Sequence, residues 1–461
     1  MKRLAVLMTL AIVAGCSPVA SASPSAPAAA VPSPSTAAAP SIPGVTATTP
    51  PPPTPAPTAG IGLIREVRAA GSRVSAGDTS EPTAQDVAAA DRAFALRLYH
   101  ELATGSGNLI YSPYSISTAL SMTYGGAGGA TAEQLAAALG VGSDPAAWHA
   151  GRNDIGTSLD RPATADAGGS TPMTIRPANA LFGQDGLAFK PDYLELLAGD
   201  YGAGLQAINF AADPEAARAA INRWVAVRTE NHIRQLLAPA MIDAATRFVL
   251  VNAIYFKASW AEPFRKRATK AAAFHRLDGS SVQVPTMHGS IASGYSHGDG
   301  WQAIDLGYTN ATMTVIVPDA GKFAAVERGL NAAFLAKVAA TWRYTEIHLS
   351  LPRWSSTTSL DLVGNLETLG VHDLFDPNLA DLRGIADAGL HVGGVIHQAT
   401  IKVNEAGTEA TAATAVIGDT TGGGPDGEVT LTIDRPFIYL IRDGTTGEIL
   451  FAGRVLDPTK H

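Results

Sequence analysis

One short stretch of the chain has the residue types and spacing of a catalytic nucleophile, Gly294-Tyr295-Ser296-His297-Gly298. In hydrolases with this pattern the serine lies on a sharp turn between a strand and a helix, and an acid and a histidine follow downstream. Here the preceding residues, 288–293, make a poor strand, and the following residues, 299–304, resemble a new strand. We therefore predict that the protein is not an enzyme.

The sequence carries no other motif for catalysis or for cofactor binding. It lacks a Walker A loop, a dinucleotide fingerprint, a His-Glu-x-x-His pair and a cysteine zinc pattern, so we expect no cofactor and no metal. His397 stands alone inside the apolar run 392–404. A single histidine in a strand is more often a hydrogen-bonded core residue than a catalyst, and we interpret His397 in that way.

The residues from 405 onward are unusually small and form a pattern that suits a strand. Alternate side chains of a strand point to opposite faces. The even positions are uncharged and small or β-branched: Thr408, Ala410, Ala412, Thr414 and Val416. Glu409 and Asp419 fall on odd positions, so one face can enter a sheet while the charges stay in water. By composition alone, the segment also suits a flexible linker.

The first 15 residues form an export signal, with Met1-Lys2-Arg3 ahead of an apolar core too short to span a bilayer. The signal ends in Val13-Ala14-Gly15-Cys16, which resembles a bacterial lipobox. That resemblance implies a lipid on Cys16 and anchoring to the outer face of the cell membrane. The alternative is an ordinary signal peptide and a secreted protein. Cys16 is the only cysteine, so the folded part contains no disulfide.

Composition divides the rest of the chain into a tether and a globular part. Residues 17–60 are rich in Pro, Ala, Ser and Thr and contain no charge, so they cannot bury enough apolar surface to fold. We predict a disordered tether over 16–80, with 61–82 ambiguous, and one domain over 81–461. The net charge is −8 and no basic block is present, which argues against nucleic acid or heparin as a partner.

The apolar run 248–260 is rich in β-branched and aromatic residues, which predicts a strand buried on both faces. Its amide, Asn252, must find partners there, because an unpaired buried amide costs roughly 1–3 kcal/mol. Ser112 and Pro113 suit the first positions of a helix. We also predict helices at 86–99, 131–139, 191–197, 214–229 and 360–370, a strand at 177–182 and a loop at 154–170.

Short motifs from residue 86 to residue 460 resemble, in the same order, those of the serpins, a family of serine protease inhibitors. They are Asn108 with Ser112-Pro113 and Ser115-Ile116, the strand ending at Trp260 with Pro263-Phe264, Leu351-Pro352-Arg353-Trp354, Glu405-Ala406-Gly407-Thr408-Glu409-Ala410, and Arg435-Pro436-Phe437. Each motif is weak alone, but their shared order is specific.

The resemblance implies an α+β serpin fold, with a five-stranded mixed central sheet, two further sheets, about nine helices and an exposed reactive-centre loop at about 405–428. A region called the shutter would lie under the central sheet, formed by Ser112, Ser115, Asn252 and His397. The breach, where the loop enters the sheet, would contain Trp260 and Arg353, and Arg353 would pair with Glu405. The hinge of the loop would be Glu405, Gly407, Thr408, Glu409, Ala410, Ala412 and Thr414.

The resemblance also implies a mechanism, in which a serine protease cleaves the loop and is trapped when the loop inserts into the central sheet. The family's spacing from Glu405 places the reactive bond at Thr421-Gly422, or alternatively at Thr420-Thr421. A small residue before the bond indicates an elastase-like or subtilisin-like target. We expect a monomer whose partner is that protease. A non-inhibitory carrier, a chaperone and an adhesin on the same scaffold are the alternatives, although the small hinge residues argue against the first two.

Overall fold

The computed structural model describes residues 61–75, 81–160, 173–408 and 427–460. Within these ranges the chain forms nine α-helices: α1 (Glu81–Leu102), α2 (Pro113–Tyr124), α3 (Gly129–Leu139), α4 (Pro145–Asp160), α5 (Pro191–Asp200), α6 (Pro214–Arg228), α7 (Phe323–Arg328), α8 (Ala332–Ala340) and α9 (Val363–Thr368). None of the helices in these ranges is both long enough and apolar enough to cross a bilayer.

The same ranges contain sixteen β-strands: β1 (Arg65–Val67), β2 (Leu109–Tyr111), β3 (Thr174–Gln184), β4 (Leu205–Ile208), β5 (Phe248–Ser259), β6 (Lys270–His275), β7 (Ser281–Gly298), β8 (Trp301–Tyr308), β9 (Ala311–Pro318), β10 (Arg343–Pro352), β11 (Trp354–Asp361), β12 (Val395–Asn404), β13 (Gly407–Thr408), β14 (Glu428–Thr432), β15 (Phe437–Asp443) and β16 (Ile449–Val455). The predicted α+β class is confirmed.

The central sheet has the order β1-β4-β3-β5-β13-β12-β11 and mixes parallel with antiparallel pairs. The predicted number of five strands is met by β3, β4, β5, β11 and β12, and the two short strands β1 and β13 bring the sheet to seven. β5 is buried along its whole length except at Lys257, which confirms the prediction of a strand covered on both faces. β13 contains Gly407 and Thr408 of the predicted hinge and lies between β5 and β12.

β1 extends the central sheet at its edge by pairing antiparallel with β4. It lies within 61–82, the stretch for which the sequence left open whether it belongs to the tether. Arg65–Val67 form a strand there, because their backbone supplies hydrogen bonds to an otherwise open sheet edge. Part of this stretch therefore belongs to the central sheet.

The remaining strands form a second, nine-stranded sheet in the order β14-β10-β7-β8-β9-β15-β16-β2, with β6 also paired to β7. The two further sheets of the prediction are continuous through β7, which is 18 residues long. Residues 288–293 lie within β7, so the prediction that they form a poor strand is wrong. These residues form a strand because their backbone pairs with β10, although their local preference for strand is weak.

Two apolar layers cover the central sheet. On one side, here called the front face, α6 contributes Ile221, Trp224 and Val225, which pack against Val249 and Val251 of β5. On the other side, the back face, the sheet joins a larger core that includes α2 and the second sheet. Side chains of β5 therefore alternate between two buried environments, and only Lys257 is partly exposed to solvent.

Two predicted elements differ from the structure. Residues 154–160, predicted as loop, complete α4, because Trp148 and Ile155 lie on one buried side of that helix, which packs against α1. Leu360 belongs to β11, where it pairs with His397, so α9 is shorter than the predicted helix over 360–370. Gly370, with a φ of 96°, follows the end of α9 as predicted.

Candidate functional site

The seam between β5 and β12 is closed at one end and open at the other. In the closed segment the two strands pair directly and in parallel, from Leu250 with Val395 to Tyr255 with Thr400. In the open segment, on the C-terminal side of Tyr255 and Thr400, the two strands separate and β13 lies between them. β13 is antiparallel to both, with Thr408 opposite Ala258 of β5 and Val403 of β12.

Gly407 begins β13 in a conformation that only glycine adopts readily. Its φ is 141°, and a β-carbon at this position would overlap the carbonyl oxygen of Ala258. The backbone of the hinge therefore approaches β5 more closely than any residue with a side chain would allow. This is the physical reason for a glycine at the start of the inserted strand.

Thr408 points to the back face of the central sheet and is fully buried. Its hydroxyl forms a hydrogen bond of 2.7 Å with the Tyr308 hydroxyl. The Tyr308 ring stacks on Trp260, with ring centroids 4.4 Å apart, and the Trp260 indole donates to the carbonyl oxygen of Asn404 at 2.9 Å. The predicted breach residue Trp260 thus supports the hinge, and Tyr308 completes the contact.

Glu405 precedes the hinge glycine, and its carboxylate is buried under a basic side chain. Arg353 Nε donates to Glu405 Oε1 at 2.8 Å, and the Thr269 hydroxyl donates to the same oxygen. Burial raises the pKa of Glu405, but these hydrogen bonds outweigh it and hold the pKa below its ordinary value of 4.5. The predicted pairing of Glu405 with Arg353 is therefore present in the structure.

A continuous polar network lies under the closed segment of the seam. The Ser112 backbone N–H donates to His397 Nε2 at 3.1 Å, and the ring's other nitrogen, Nδ1, contacts Asn252 Oδ1. Asn252 Nδ2 donates to Asn179 Oδ1 at 3.1 Å, and the Ser115 hydroxyl donates to the same oxygen at 2.6 Å. The predicted set of Ser112, Ser115, Asn252 and His397 is thus one network, with Asn179 as its link.

His397 is neutral in this network. A backbone N–H can only donate, so Nε2 must accept from Ser112, and Nδ1 must carry the proton that it donates to Asn252. Burial lowers the pKa of His397 to about 3. A second proton on Nε2 would place two donors against each other, so the histidine is a structural residue, as predicted from the sequence.

Three residues that complete these contacts were not predicted from the sequence. Asn179 is a lone amide in an apolar strand, the same signal that identified Asn252, and it was available from the sequence. Tyr308 and Thr269 carry no such signal, because they meet the hinge only through tertiary packing. The hinge therefore depends on residues about 100 positions away along the chain.

Ser296, in the apparent nucleophile motif, lies within β7 and is buried. Its hydroxyl donates to the carbonyl oxygen of Val338 at 2.8 Å, and no sharp turn follows it into a helix. Side chains on the two glycines of the motif would collide with Trp342 and Trp301. The two glycines of the motif are therefore explained by the packing of Trp342 and Trp301 against β7.

Several predicted site residues lie outside the described ranges. They are Cys16, Glu409, Ala410, Ala412, Thr414, Thr420, Thr421 and Gly422. Within those ranges, no group of three or more His, Cys, Asp or Glu side chains is arranged to hold a metal ion.

Comparison with known proteins defines the class to which this fold and hinge belong. The family model described as serpin (serine protease inhibitor) matches residues 89–458. The chain belongs to the serpin family, which this model describes as serine protease inhibitors.

Individual relatives agree with this assignment. The chain is 34% identical to an uncharacterized serpin-like protein of Thermococcus kodakarensis, over 79% of this chain and 84% of the relative. It is 34% identical to the leukocyte elastase inhibitor of Bos taurus, over 81% of this chain and the whole relative. Among solved structures, thyroxine-binding globulin in complex with thyroxine has a TM-score of 0.70 at 28% identity and covers 81% of this chain and all of that chain.

Proposed function

We propose that the protein inhibits serine proteases as a suicide substrate. The protease attacks the loop that follows Thr408 and forms an acyl-enzyme, and the cleaved loop then inserts between β5 and β12. The observation that carries this proposal is β13, because its two residues already occupy the position of a strand between β5 and β12. Insertion would continue a ladder whose first pairs exist.

The length of the loop sets how far the protease is carried. About 14 inserted residues at ~3.3 Å each correspond to roughly 46 Å of travel. About 14 new ladder bonds at ~0.5–1.5 kcal/mol contribute roughly 7–20 kcal/mol, whereas ordering the same residues costs ~1–2 kcal/mol each. Hydrogen bonds alone therefore do not drive insertion. Burial of the even-numbered face, as at Thr408, and relief of strain in the native sheet supply the remainder.

The reactive bond is proposed at Thr421-Gly422, with Thr420-Thr421 as the alternative, from the spacing to Glu405. A small residue before the bond favours a protease with elastase-like or subtilisin-like specificity. The similarity to leukocyte elastase inhibitors supports this direction without identifying the target.

The decisive experiment incubates the protein with elastase-like, subtilisin-like and trypsin-like proteases. We expect an SDS-resistant complex with the first two classes, and mass spectrometry of the released peptide then identifies the bond. Thr408→Arg should convert the inhibitor into a substrate, because a guanidinium cannot enter the buried site beside Tyr308. Thr408→Ser, which keeps the hydroxyl, is the matched control. A covalent complex with the arginine variant would contradict the insertion mechanism.

The N-terminal region is proposed to hold a monomeric inhibitor at the outer face of a bacterial membrane. Cys16 would carry the lipid, and the Pro/Ala/Ser-rich residues after it would separate the inhibitor from the bilayer. Labelling of cells with an alkyne fatty acid should mark the wild-type protein and leave Cys16→Ser unlabelled. Equal labelling of both proteins would reject the anchor.

A carrier of a small apolar molecule is the second candidate function. The similarity to thyroxine-binding globulin is accompanied by a cavity of about 550 Å³ between α1, α8 and the second sheet. Leu96, Leu335 and Trp342 line this cavity, and Arg442 pairs with Asp305 at its wall. A volume of this size accommodates a drug-sized ligand. Titration with thyroxine should quench tryptophan fluorescence if the cavity binds it, and an unchanged spectrum would eliminate this candidate.

A further inference from the structure

Two lysines face each other across the open segment of the seam, at the position that the loop must pass next. We propose that Lys257 of β5 and Lys402 of β12 form a carboxylate-binding slot, and that Glu409 of the loop occupies it when the loop inserts. The inference rests on the proposed function, because it concerns the inserted state. It assigns the two lysines as positioning residues that favour one register of insertion.

The alternation of side chains places both lysines on the front face. Phe256 and Ala258 of β5, and Ile401 and Val403 of β12, all lie in the core behind the sheet. Because successive side chains in a strand point to opposite faces, Lys257 and Lys402 point forward. The closed segment aligns Tyr255 with Thr400, and two further steps along these parallel strands bring Lys257 opposite Lys402.

The two lysines have no partner within the described part of the chain. Among the described residues, neither lysine side chain forms an ion pair or a hydrogen bond. Lys402 is exposed and Lys257 is half-buried. A strand between β5 and β12 would separate these two strands by roughly 9–10 Å, since neighbouring strands lie about 4.7–4.9 Å apart. A carboxylate between the lysines would reduce the repulsion between the two positive charges.

The register of β13 identifies the occupant. Thr408 lies opposite Ala258 and Val403, and β13 is antiparallel to both flanking strands. The next residue of an inserted strand would therefore lie opposite Lys257 on one side and Lys402 on the other. That residue is Glu409, and its odd position points its side chain to the front face, as for the lysines. Glu409 lies outside the described residues, so its place follows from sequence and register.

Opposite charges that are directly cross-strand stabilise a sheet by about 0.2–1 kcal/mol per pair, and partly exposed pairs fall in the same range. Two such pairs correspond to about a twofold to thirtyfold change in the equilibrium for insertion, since 1.4 kcal/mol is tenfold. A displacement by one residue would point the glutamate to the apolar back face. The slot therefore opposes insertion in the wrong register at its second step.

The test is a mutant cycle in the full-length protein, measured before and after the loop is cleaved. The variants are Glu409→Gln, Lys257→Gln combined with Lys402→Gln, and all three together, with Lys322→Gln, an exposed lysine on another surface, as control. The loop is cut between residues 409 and 427 by a protease that is not trapped, and Tm is recorded for the intact and clipped forms at low and high salt.

We expect each of the first two variants to lower Tm of the clipped form by about 1 to 4 °C at low salt, and the triple variant to lower it no further. The Tm of the intact form and that of Lys322→Gln should not fall. Clipped forms with equal Tm in all variants would overturn the slot while leaving the inhibitor proposal intact. If clipping does not raise the Tm of the wild-type protein at all, loop insertion itself fails, and the proposed function fails with it.

Exchanging the charges of Glu409 and Lys257 distinguishes the loss of their ion pair from the loss of a lysine side chain by itself. Glu409→Lys should lower Tm of the clipped protein more than Glu409→Gln, because three positive charges then meet in the slot. Adding Lys257→Glu to Glu409→Lys should restore part of that loss. Absence of any restoration would overturn the assignment of Lys257.

Discussion

The closed and open segments of the seam belong to the same two strands, yet they are held together by different chemistry. In the closed segment, neutral hydrogen bonds connect the sheet to the start of α2 through His397, Asn252, Asn179 and Ser115. In the open segment, a charged pair at Glu405 and a buried threonine hold the hinge between the strands. In the first network Asn179 is half-buried and the other members are fully buried, whereas the second network reaches the surface at Arg353.

This difference indicates where the sheet opens. A buried network in which each member has a partner is costly to break, because separation leaves polar groups without water. An ion pair whose arginine side chain is 40% exposed is cheaper to rearrange, since water solvates the released charge. In the proposed mechanism, insertion would therefore begin at the open segment, whereas the closed segment would resist until the advancing loop replaced the contacts between β5 and β12.

The largest effect is expected from removing the amide at the centre of the closed segment. Asn252→Ala leaves the His397 Nδ1–H without an acceptor, which costs about 1–3 kcal/mol, and removes one of the two hydrogen bonds that Asn179 Oδ1 accepts, which costs about 0.5–1.5 kcal/mol. We expect a total loss of about 2–4 kcal/mol. Urea unfolding measures this loss, and native gels should show faster polymerisation. The control is Gln398→Ala, one residue from His397, whose amide oxygen has no hydrogen-bond partner within the described ranges. Equal losses for the two variants would contradict a special role for the network.

The second effect is a pH dependence that belongs to the closed segment. The pKa of His397 is about 3 in the folded protein and about 6.5 when unfolded, so the unfolded chain binds the extra proton first. The stability that His397 contributes is fully present above pH 6.5 and is lost as the pH falls toward 3, by about 3 kcal/mol at pH 4. Thermal unfolding between pH 7 and 4 measures this slope.

His397→Gln is the matched variant for the pH experiment. A glutamine amide can accept from Ser112 and donate to Asn252 without titrating, so its slope over this range should be flatter than that of the wild-type protein. An equal slope in both proteins would assign the pH dependence to other groups.

A smaller effect is expected at the open segment from Arg353→Gln. The exposed guanidinium limits the pair's contribution to about 1 kcal/mol, so the Tm should change by only a few degrees. Heat-induced polymerisation should accelerate, because the hinge loses its attachment. The pKa of Glu405 lies below its ordinary value of 4.5 in the folded protein. The stability that Glu405 contributes is therefore present above pH 4.5 and is lost as the pH falls below that value. An unchanged polymerisation rate would contradict this role for the pair.

The smallest effect is expected from Tyr308→Phe, which removes only the hydroxyl that contacts Thr408. One buried hydrogen bond contributes about 0.5–1.5 kcal/mol, and the stacking on Trp260 remains. Differential scanning calorimetry of the intact Tyr308→Phe protein should show a slightly lower Tm. The control is Tyr344→Phe, which should leave Tm unchanged because the Tyr344 hydroxyl makes no hydrogen bond within the described ranges. A larger fall in Tm for Tyr344→Phe than for Tyr308→Phe would contradict a stabilising contribution from the Tyr308 hydroxyl.

The sequence by itself determined the order of the motifs, the buried strand β5 and the face that the hinge turns inward. These are local properties: β5 is a continuous apolar run, and the position of Thr408 follows from a period of two. Asn252 and His397 were recognisable because a polar residue in an apolar run needs a partner.

Only the tertiary structure decided which groups meet at the seam. Asn179, Tyr308 and Thr269 contact residues 73, 100 and 136 positions away, and no periodicity encodes such distances. The extension of α4 and the strand at 65–67 were likewise decided by packing and by an available sheet edge, which outweigh local preference. The opposition of Lys257 and Lys402 follows from the register between β5 and β12, which is a property of two strands together.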